Sequence, residues 1–264
     1  MRLKDKVAII VGGGQTPGET VGNGRATALV FAREGAKVLL VDRDSTTVEE
    51  TRQMIANEGG TASCFTADVT DEAACKSVVG ACLEQFGRID ILHNNVGKSM
   101  GDAEVSAVEE AAWDSIFDLN LKSFAFMCKH VLPAMREQQE GVIINVSSIA
   151  SLCTVSGAAY KTSKASVNSL TQLLAVENGK HGIRVNAILP GLMDTPMAIE
   201  RRARERNVSR DTVRAERDRA VPLRKKMGTA WDVANAALFL ASEEASFVSG
   251  VCLPVDGAQS ARVG

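Results

Sequence analysis

The chain has 264 residues, 45% of them hydrophobic and 4% aromatic, with a net charge of -2 and a pI of about 6.0. This balance offers no basic face for nucleic acid or an anionic membrane, and it leaves the core to Val, Leu, Ile, Ala and Met. No apolar run approaches the ~20 residues that span a bilayer. No signal-type leader precedes the first apolar segment, and six scattered cysteines (Cys64, Cys75, Cys82, Cys128, Cys153, Cys252) form no CxxC pair. The expectation is a cytoplasmic protein with reduced cysteines.

In chain order, strands are expected at 7–11, 37–41, 62–67, 89–93, 142–146, 184–189 and 251–254. Helices are expected at 24–34, 46–58, 71–86, 109–136, 158–178 and 230–241. Such alternation predicts βαβ units and an α/β fold: a doubly wound parallel sheet of about seven strands flanked by helices. Thr70 stands where a helix N-cap belongs, and Gly59-Gly60 where a helix stops. No linker divides residues 1–264, so one domain is expected, with a flap near 194–226. Within it, 200–219 is dense in Arg and Glu. It reads as a solvated helical face or as a flap over a substrate.

The first strand ends in Gly12-Gly13-Gly14, and Gly22-Asn23-Gly24 opens the first helix. Glycines there permit a tight turn, close approach of main-chain N–H groups to a pyrophosphate, and close helix–strand packing. Asp42 closes the second strand. Its carboxylate can accept from both adenosine ribose hydroxyls and repels a 2′-phosphate, which favours NAD; Arg43 next to it leaves NADP open. Asn94-Asn95-Val96-Gly97 follows the fourth strand, where a turn can meet the cofactor.

Tyr160, the only tyrosine, stands four residues before Lys164, on one helical face. A phenol near its reference pKa of about 10 is a poor acid or base at neutral pH, and a neighbouring ammonium lowers that value. The fifth strand runs into Ser147-Ser148, which puts a hydroxyl in the crevice at the carboxyl end of the sheet. Asn120 interrupts an amphipathic helix with a polar group that either faces solvent or serves the site. His93, His130 and His181 have no metal-ligand spacing, and no metal is expected.

Taken together and in this order, these motifs resemble the short-chain dehydrogenase/reductase family in its single-domain Rossmann form. The resemblance runs from Lys6 to Gly257 and includes Asp68-Val69, Pro190-Gly191 with Thr195, and Val255-Asp256-Gly257. It implies hydride transfer between a nicotinamide and a secondary alcohol or ketone. Tyr160 would exchange the proton, Lys164 would lower the phenol pKa and hold the nicotinamide ribose, and Ser148 (with Ser147 the alternative) would orient the substrate oxygen. Asn120 would anchor a water in a proton relay. Gly13, Gly22, Asn23, Gly24, Asp42, Asp68, Val69, Asn95, Gly97, Pro190, Met193 and Thr195 would contact the cofactor. A homotetramer or dimer is implied as well.

Two departures stand out. Gly12 replaces the family's usual Thr and is expected to loosen the turn. Residues 15–21 lengthen the phosphate loop, either as a surface bulge or to bring Thr16 or Thr20 to the cofactor; Glu19 is expected to point away from phosphate. Apolar positions near the substrate (Ile149, Ala150, Val155, Ala158, Met193, Ala198) favour a hydrophobic or alicyclic substrate, while Lys98 and the Arg-rich flap leave room for an acidic substituent. The alternatives are an NADPH-linked 3-oxoacyl-type ketoreductase and a non-catalytic cofactor sensor.

Overall fold

Strands that are apolar at every position need cover on both faces, and helices supply it. The computed structural model describes residues 1–153 and 157–261. It places seven strands in one parallel sheet: β1 (Val7–Val11), β2 (Lys37–Asp42), β3 (Thr61–Thr66), β4 (Ile91–Asn94), β5 (Gly141–Val146), β6 (Ile183–Pro190) and β9 (Cys252–Val255). A separate parallel pair joins β7 (Met193–Asp194) to β8 (Gly228–Thr229). The sheet order is β3-β2-β1-β4-β5-β6-β9. Strand order reverses between β1 and β4, so a ligand crevice opens there beyond the carboxyl ends of the strands.

The helices are α1 (Asn23–Arg33), α2 (Ser45–Asn57), α3 (Glu72–Phe86), α4 (Glu110–Phe117), α5 (Ser123–Gln138), α6 (Ala158–Asn178), α7 (Pro196–Arg206), α8 (Arg210–Ala220) and α9 (Ala230–Ala241). Alternate residues of each strand feed opposite cores. Ala8 and Ile10 pack with α1, α2 and α9, whereas Val7, Ile9 and Val11 pack with α3, α5 and α6. His93 sits inside, edge-on to Phe31 at 6.3 Å, and burial holds its pKa down at about 4. Among the described residues no helix is long and apolar enough to cross a membrane.

One local expectation needs correction and two gain detail. The stretch 109–136 is helical as expected, with a π-turn over Asp118–Lys122 between α4 and α5. No Gly or Pro marks that turn, so periodicity runs through it unseen. The cap of α3 is Asp71, whose carboxylate accepts from Ala73 N at 3.0 Å; Thr70 instead donates to Asp68. The stretch 200–219 folds as two helices, α7 and α8, around a small core of Ile199, Val213, Val221 and Met227. Gly59, at φ +79°, ends α2 as expected.

Candidate active site

The turn after β1 is held by main chain. Gly12 N and Gly13 N both donate to Val41 O, at 2.8 and 3.0 Å, and Asn95 Nδ2 donates to Gly12 O at 3.3 Å. Gly12 therefore does not loosen the turn. At φ +84° any side chain there would be strained. A Cβ on Gly24 would overlap the Gly12 carbonyl oxygen, and one on Gly14 would overlap the Thr47 hydroxyl. No side chain caps α1 at Gly22, and Asn23 Oδ1 is buried without a partner. A glycine-walled helix N-terminus whose main-chain N–H groups meet no capping side chain fits a dinucleotide's phosphates. Gly22 N is already taken, however, by Gln15 Oε1 of the lengthened loop at 2.9 Å.

Asp42 ends β2 with its carboxylate toward this turn, accepting from Gly14 N at 3.1 Å and Asp44 N at 3.3 Å. Asp68 accepts from Thr70 N and Oγ1; these bonds, and then the charges of Arg43 and Lys98, hold its pKa down. Val69 is buried behind it. On the other flank Gly191 N donates to Val255 O at 3.0 Å and Leu192 N to Gln259 Oε1 at 2.7 Å. Those bonds set the path of Pro190, Met193 and Thr195.

A buried polar ladder registers the chemical end. Asn94 Nδ2 donates to Asn145 Oδ1 at 2.9 Å, and Asn145 Nδ2 to Thr171 Oγ1 at 3.0 Å, linking β4, β5 and α6. The two serines then separate. Ser147 Oγ donates to Lys164 O at 2.9 Å and is buried in the helix contact. Ser148 Oγ accepts from Ala150 N at 3.1 Å and lies beside the Tyr160 phenol. Lys164 Nζ donates to Val146 O at 2.8 Å and stands 5.1 Å over the Phe124 ring. Gly97 leaves the room: a Cβ there would be 3.3 Å from Lys164 Nζ and 3.4 Å from Asn120 Oδ1.

Asn120 is fully buried in the π-turn. Its Oδ1 accepts from Lys98 N at 2.8 Å, and its Nδ2 donates to Lys98 O at 2.9 Å and Ser163 Oγ at 3.1 Å. The side chain is thus a clamp between the β4 loop and α6. The solvent-facing reading fails because the π-turn inserts an extra residue and rotates Asn120 inward.

The electrostatics differ from the simple Tyr–Lys picture. Burial pushes the Tyr160 phenol up, against the opposing effects of the Ser148 hydroxyl and the charges of Arg202 and Arg201. Burial also pushes Lys164 down to about 7, so its charge is only partial at neutral pH. That weakens the electrostatic help it can give the phenol.

Sequence reasoning missed four groups. Asp102, in the loop after β4, accepts from Ala159 N at 3.0 Å and Tyr160 N at 2.9 Å, capping α6 from outside the helix. Arg201, Arg202 and Arg217 turn inward from α7 and α8; the only hint was an Arg-rich segment at the right place in the chain. Glu19 does point away from the glycine turn, pairing with Arg214 at 3.0 Å and Arg210 at 3.5 Å. Among the expected substrate neighbours, Met193 is buried in β7 and Ala198 on the inner side of α7, and Val155 lies outside the described residues.

A parallel sheet with a phosphate turn at its switch point and a phenol beside a strand-end hydroxyl defines a class of nicotinamide-dependent oxidoreductases acting on CH–OH groups. A family model described as enoyl-(acyl carrier protein) reductase matches residues 19–258. Levodione reductase of Leifsonia aquatica is 36% identical over 263 residues, covering 98% of this chain and 96% of that protein. The 3-oxoacyl-(acyl-carrier-protein) reductase FabG of Thermotoga maritima is 35% identical over 260 residues, covering 97% and 98%. A crystal structure from Burkholderia xenovorans, assigned to the short-chain dehydrogenases/reductases, superposes with a TM-score of 0.91 at 39% identity, covering 100% of this chain and 99% of that one. This chain belongs to the short-chain dehydrogenase/reductase family.

Proposed function

We propose that the protein moves a hydride between NAD and the carbinol or carbonyl carbon of a secondary alcohol or ketone. The observation that carries this reading is the meeting of Ser148, Tyr160 and Lys164 at the carboxyl edge of β5, with Gly97 left bare beside Lys164. The nicotinamide, when bound, supplies or accepts the hydride. Gly13, Gly22, Asn23 and Gly24 would face its phosphates, Asp42 the adenosine ribose, and Asp68 with Val69 the adenine. Asn95, Gly97 and Lys164 would lie along the nicotinamide ribose, and Pro190, Met193 and Thr195 at the carboxamide.

The chain's own residues do the rest. Ser148 Oγ donates to the substrate oxygen and holds it against Tyr160 Oη. Tyr160 gives that oxygen a proton in reduction and takes one in oxidation, a contribution of about 10²–10⁴ in rate for a positioned acid or base. Lys164 holds the ribose and carries protons between the phenol and water. Asn120 keeps the π-turn closed on Ser163 and Lys98; with its side chain engaged, the water of the relay would be held by main chain. The Asp42 carboxylate, facing the glycine turn, supports NAD over NADP.

A second reading, an NADPH-linked 3-oxoacyl-type ketoreductase, draws on Arg43 beside Asp68 and on the Thermotoga maritima relative. The protein is read as one domain with a flap near 194–226. It is also read as a homotetramer or dimer, because α6 leaves Leu173 and Val176 exposed.

The test is a panel of alicyclic and aliphatic ketones assayed with NADH and NADPH. Higher kcat/KM with NADH is expected, and Tyr160→Phe should lose at least about 10²-fold in kcat while still binding NADH. Parent-level turnover in Tyr160→Phe would remove the mechanism, and a strong NADPH preference would favour the second reading.

A further inference from the structure

The α7–α8 excursion turns two chemically different faces outward and inward. Its outer charges are paired. Arg206 meets Glu216 at 2.6 Å, Arg210 meets Glu200 at 2.7 Å, and Arg214 meets Glu19 at 3.0 Å and Asp194 at 3.3 Å. Its inner face carries Arg201, Arg202 and Arg217, and these are not neutralised in the same way. Among the described residues, neither Arg202 nor Arg217 has a carboxylate within 4.0 Å. Arg202 Nη1 donates only to Ala198 O of its own helix, at 3.0 Å. Arg217 Nε meets the Met227 thioether at 3.2 Å, a weak acceptor, and its Nη2 meets Met193 O at 3.5 Å. Arg201 Nη1 reaches Ser99 Oγ at 3.1 Å, but its Nε is shielded from solvent without an acceptor, and Glu205 stands 3.6 Å away, beyond hydrogen-bond reach.

Three half-buried guanidiniums crowd one another here. Burial, and then the charge of Arg202, pushes Arg217 down to about 10. Burial, and then the charge of Arg201, pushes Arg202 down. Glu205, 3.6 Å from Arg201, and the more distant Asp194 offset these charges only in part. Gathering like charges out of water with so little close counter-charge is unfavourable, and apolar residues of the same size would pack the face better. The cluster also has a direction. Arg202 and Arg201 are the two charges that act on the Tyr160 phenol, and Arg217 touches the main chain of Met193. On the side of the phosphate turn, by contrast, Glu19 and Glu200 neutralise the arginines and would repel a pyrophosphate.

We propose that Arg201, Arg202 and Arg217 form an anion subsite for the substrate, so that the alcohol or ketone reacting at Tyr160 carries an oxyanionic substituent such as a carboxylate. This rests on the reading of Tyr160 as the substrate's end of the crevice. A guanidinium fork matches a carboxylate two bonds at a time, and a charge-assisted pair shielded from water is stronger than a neutral one. The subsite would anchor the remote end of the substrate and leave its reacting carbon to Ser148 and Tyr160. Substrate binding would then also supply the counter-charge that holds the flap down.

The test is calorimetric titration of the full chain, saturated with NAD⁺, with cyclohexanecarboxylate and with its neutral isostere cyclohexanecarboxamide. The carboxylate should bind about tenfold or more tightly than the amide, and added NaCl should erode the difference. Arg202→Gln and Arg217→Gln, on different helices, should each weaken the carboxylate about tenfold or more and leave the amide and NAD⁺ affinities within about twofold of parent. Arg202→Lys, which keeps the charge, should retain part of the preference and guards against a folding defect. Equal binding of acid and amide, no binding of the acid, or unchanged acid affinity in both Gln variants would overturn the proposal. A parallel loss of NAD⁺ affinity would also overturn it, by giving the cluster to the cofactor's phosphates. The titration reads binding, so it stands even if no ketone is turned over, which is how the oxidoreductase reading would fail by itself.

Discussion

Lys164 shows how one buried cation can serve chemistry at the expense of stability. Among the described residues its ammonium has one carbonyl partner, Val146 O, and an aromatic face, Phe124, but no carboxylate within 4.0 Å. Burial lowers its pKa from 10.5 to about 7. Between those values the unfolded chain binds a proton that the folded chain has lost. The stability this group contributes is therefore fully present above about 10.5 and is lost as pH falls toward 7. Lys164→Met removes the titration. The variant should be more stable than parent at pH 7, by on the order of a few kcal/mol, and the advantage should shrink steadily toward pH 10. Urea unfolding of both proteins at several pH values checks this; a difference independent of pH would count against it. Tyr160 is displaced in the other direction, so its phenol stays protonated through neutral pH and stands ready as an acid toward a carbonyl oxygen.

At the scale of elements, the start of α6 decides where Tyr160 stands. That start has no side-chain cap of its own: Gly157 precedes it at φ +103°. Asp102 supplies the missing acceptor from the β4 loop, and its negative charge also complements the positive end of the helix. Asp102→Ala should lower stability by about 1–2 kcal/mol and reduce kcat for a neutral ketone more than it changes KM, because the phenol loses its position and not its chemistry. Asp102→Asn, which keeps an acceptor oxygen, should recover part of both. A kcat unchanged in Asp102→Ala would deny the loop this role. The lengthened phosphate loop also works between elements. Gln15 takes Gly22 N, Gly18 packs against Pro196 and Glu200, and Glu19 meets Arg210 and Arg214, so the segment ties the phosphate turn to α7 and α8.

At the scale of the whole molecule, the surface of α6 is unusual for a charged, near-neutral protein. Leu173 is 55% and Val176 85% exposed on a helix whose other side is core. Pairing of this face with a second copy would account for them. Leu173→Glu combined with Val176→Glu should split the assembly, seen as a fall in mass by light scattering, with far-UV circular dichroism unchanged. A parent that already runs as a monomer would refute the oligomer.

Much of this protein was legible in one dimension. Apolar strands alternating with amphipathic helices determine a parallel sheet with covered faces, since periodicity reports burial directly. The order of the glycine turn, Asp42, Ser148, Tyr160 and Lys164 determines the family and the end of the sheet where the site lies. Glu19's direction also followed, from simple charge repulsion. Other features depended on groups far apart in the chain, and only the tertiary structure decided them. The π-turn that rotates Asn120 inward leaves no mark in the residue pattern. Asp102 caps a helix that starts more than fifty residues later. The phenol moves up and not down because burial, a property of the packed molecule, outweighs the neighbouring charge. Likewise, no spacing rule separates the arginines of 206–214 that pair with carboxylates from Arg202 and Arg217, which have none within 4.0 Å among the described residues; that division arises only when α7 and α8 fold against each other.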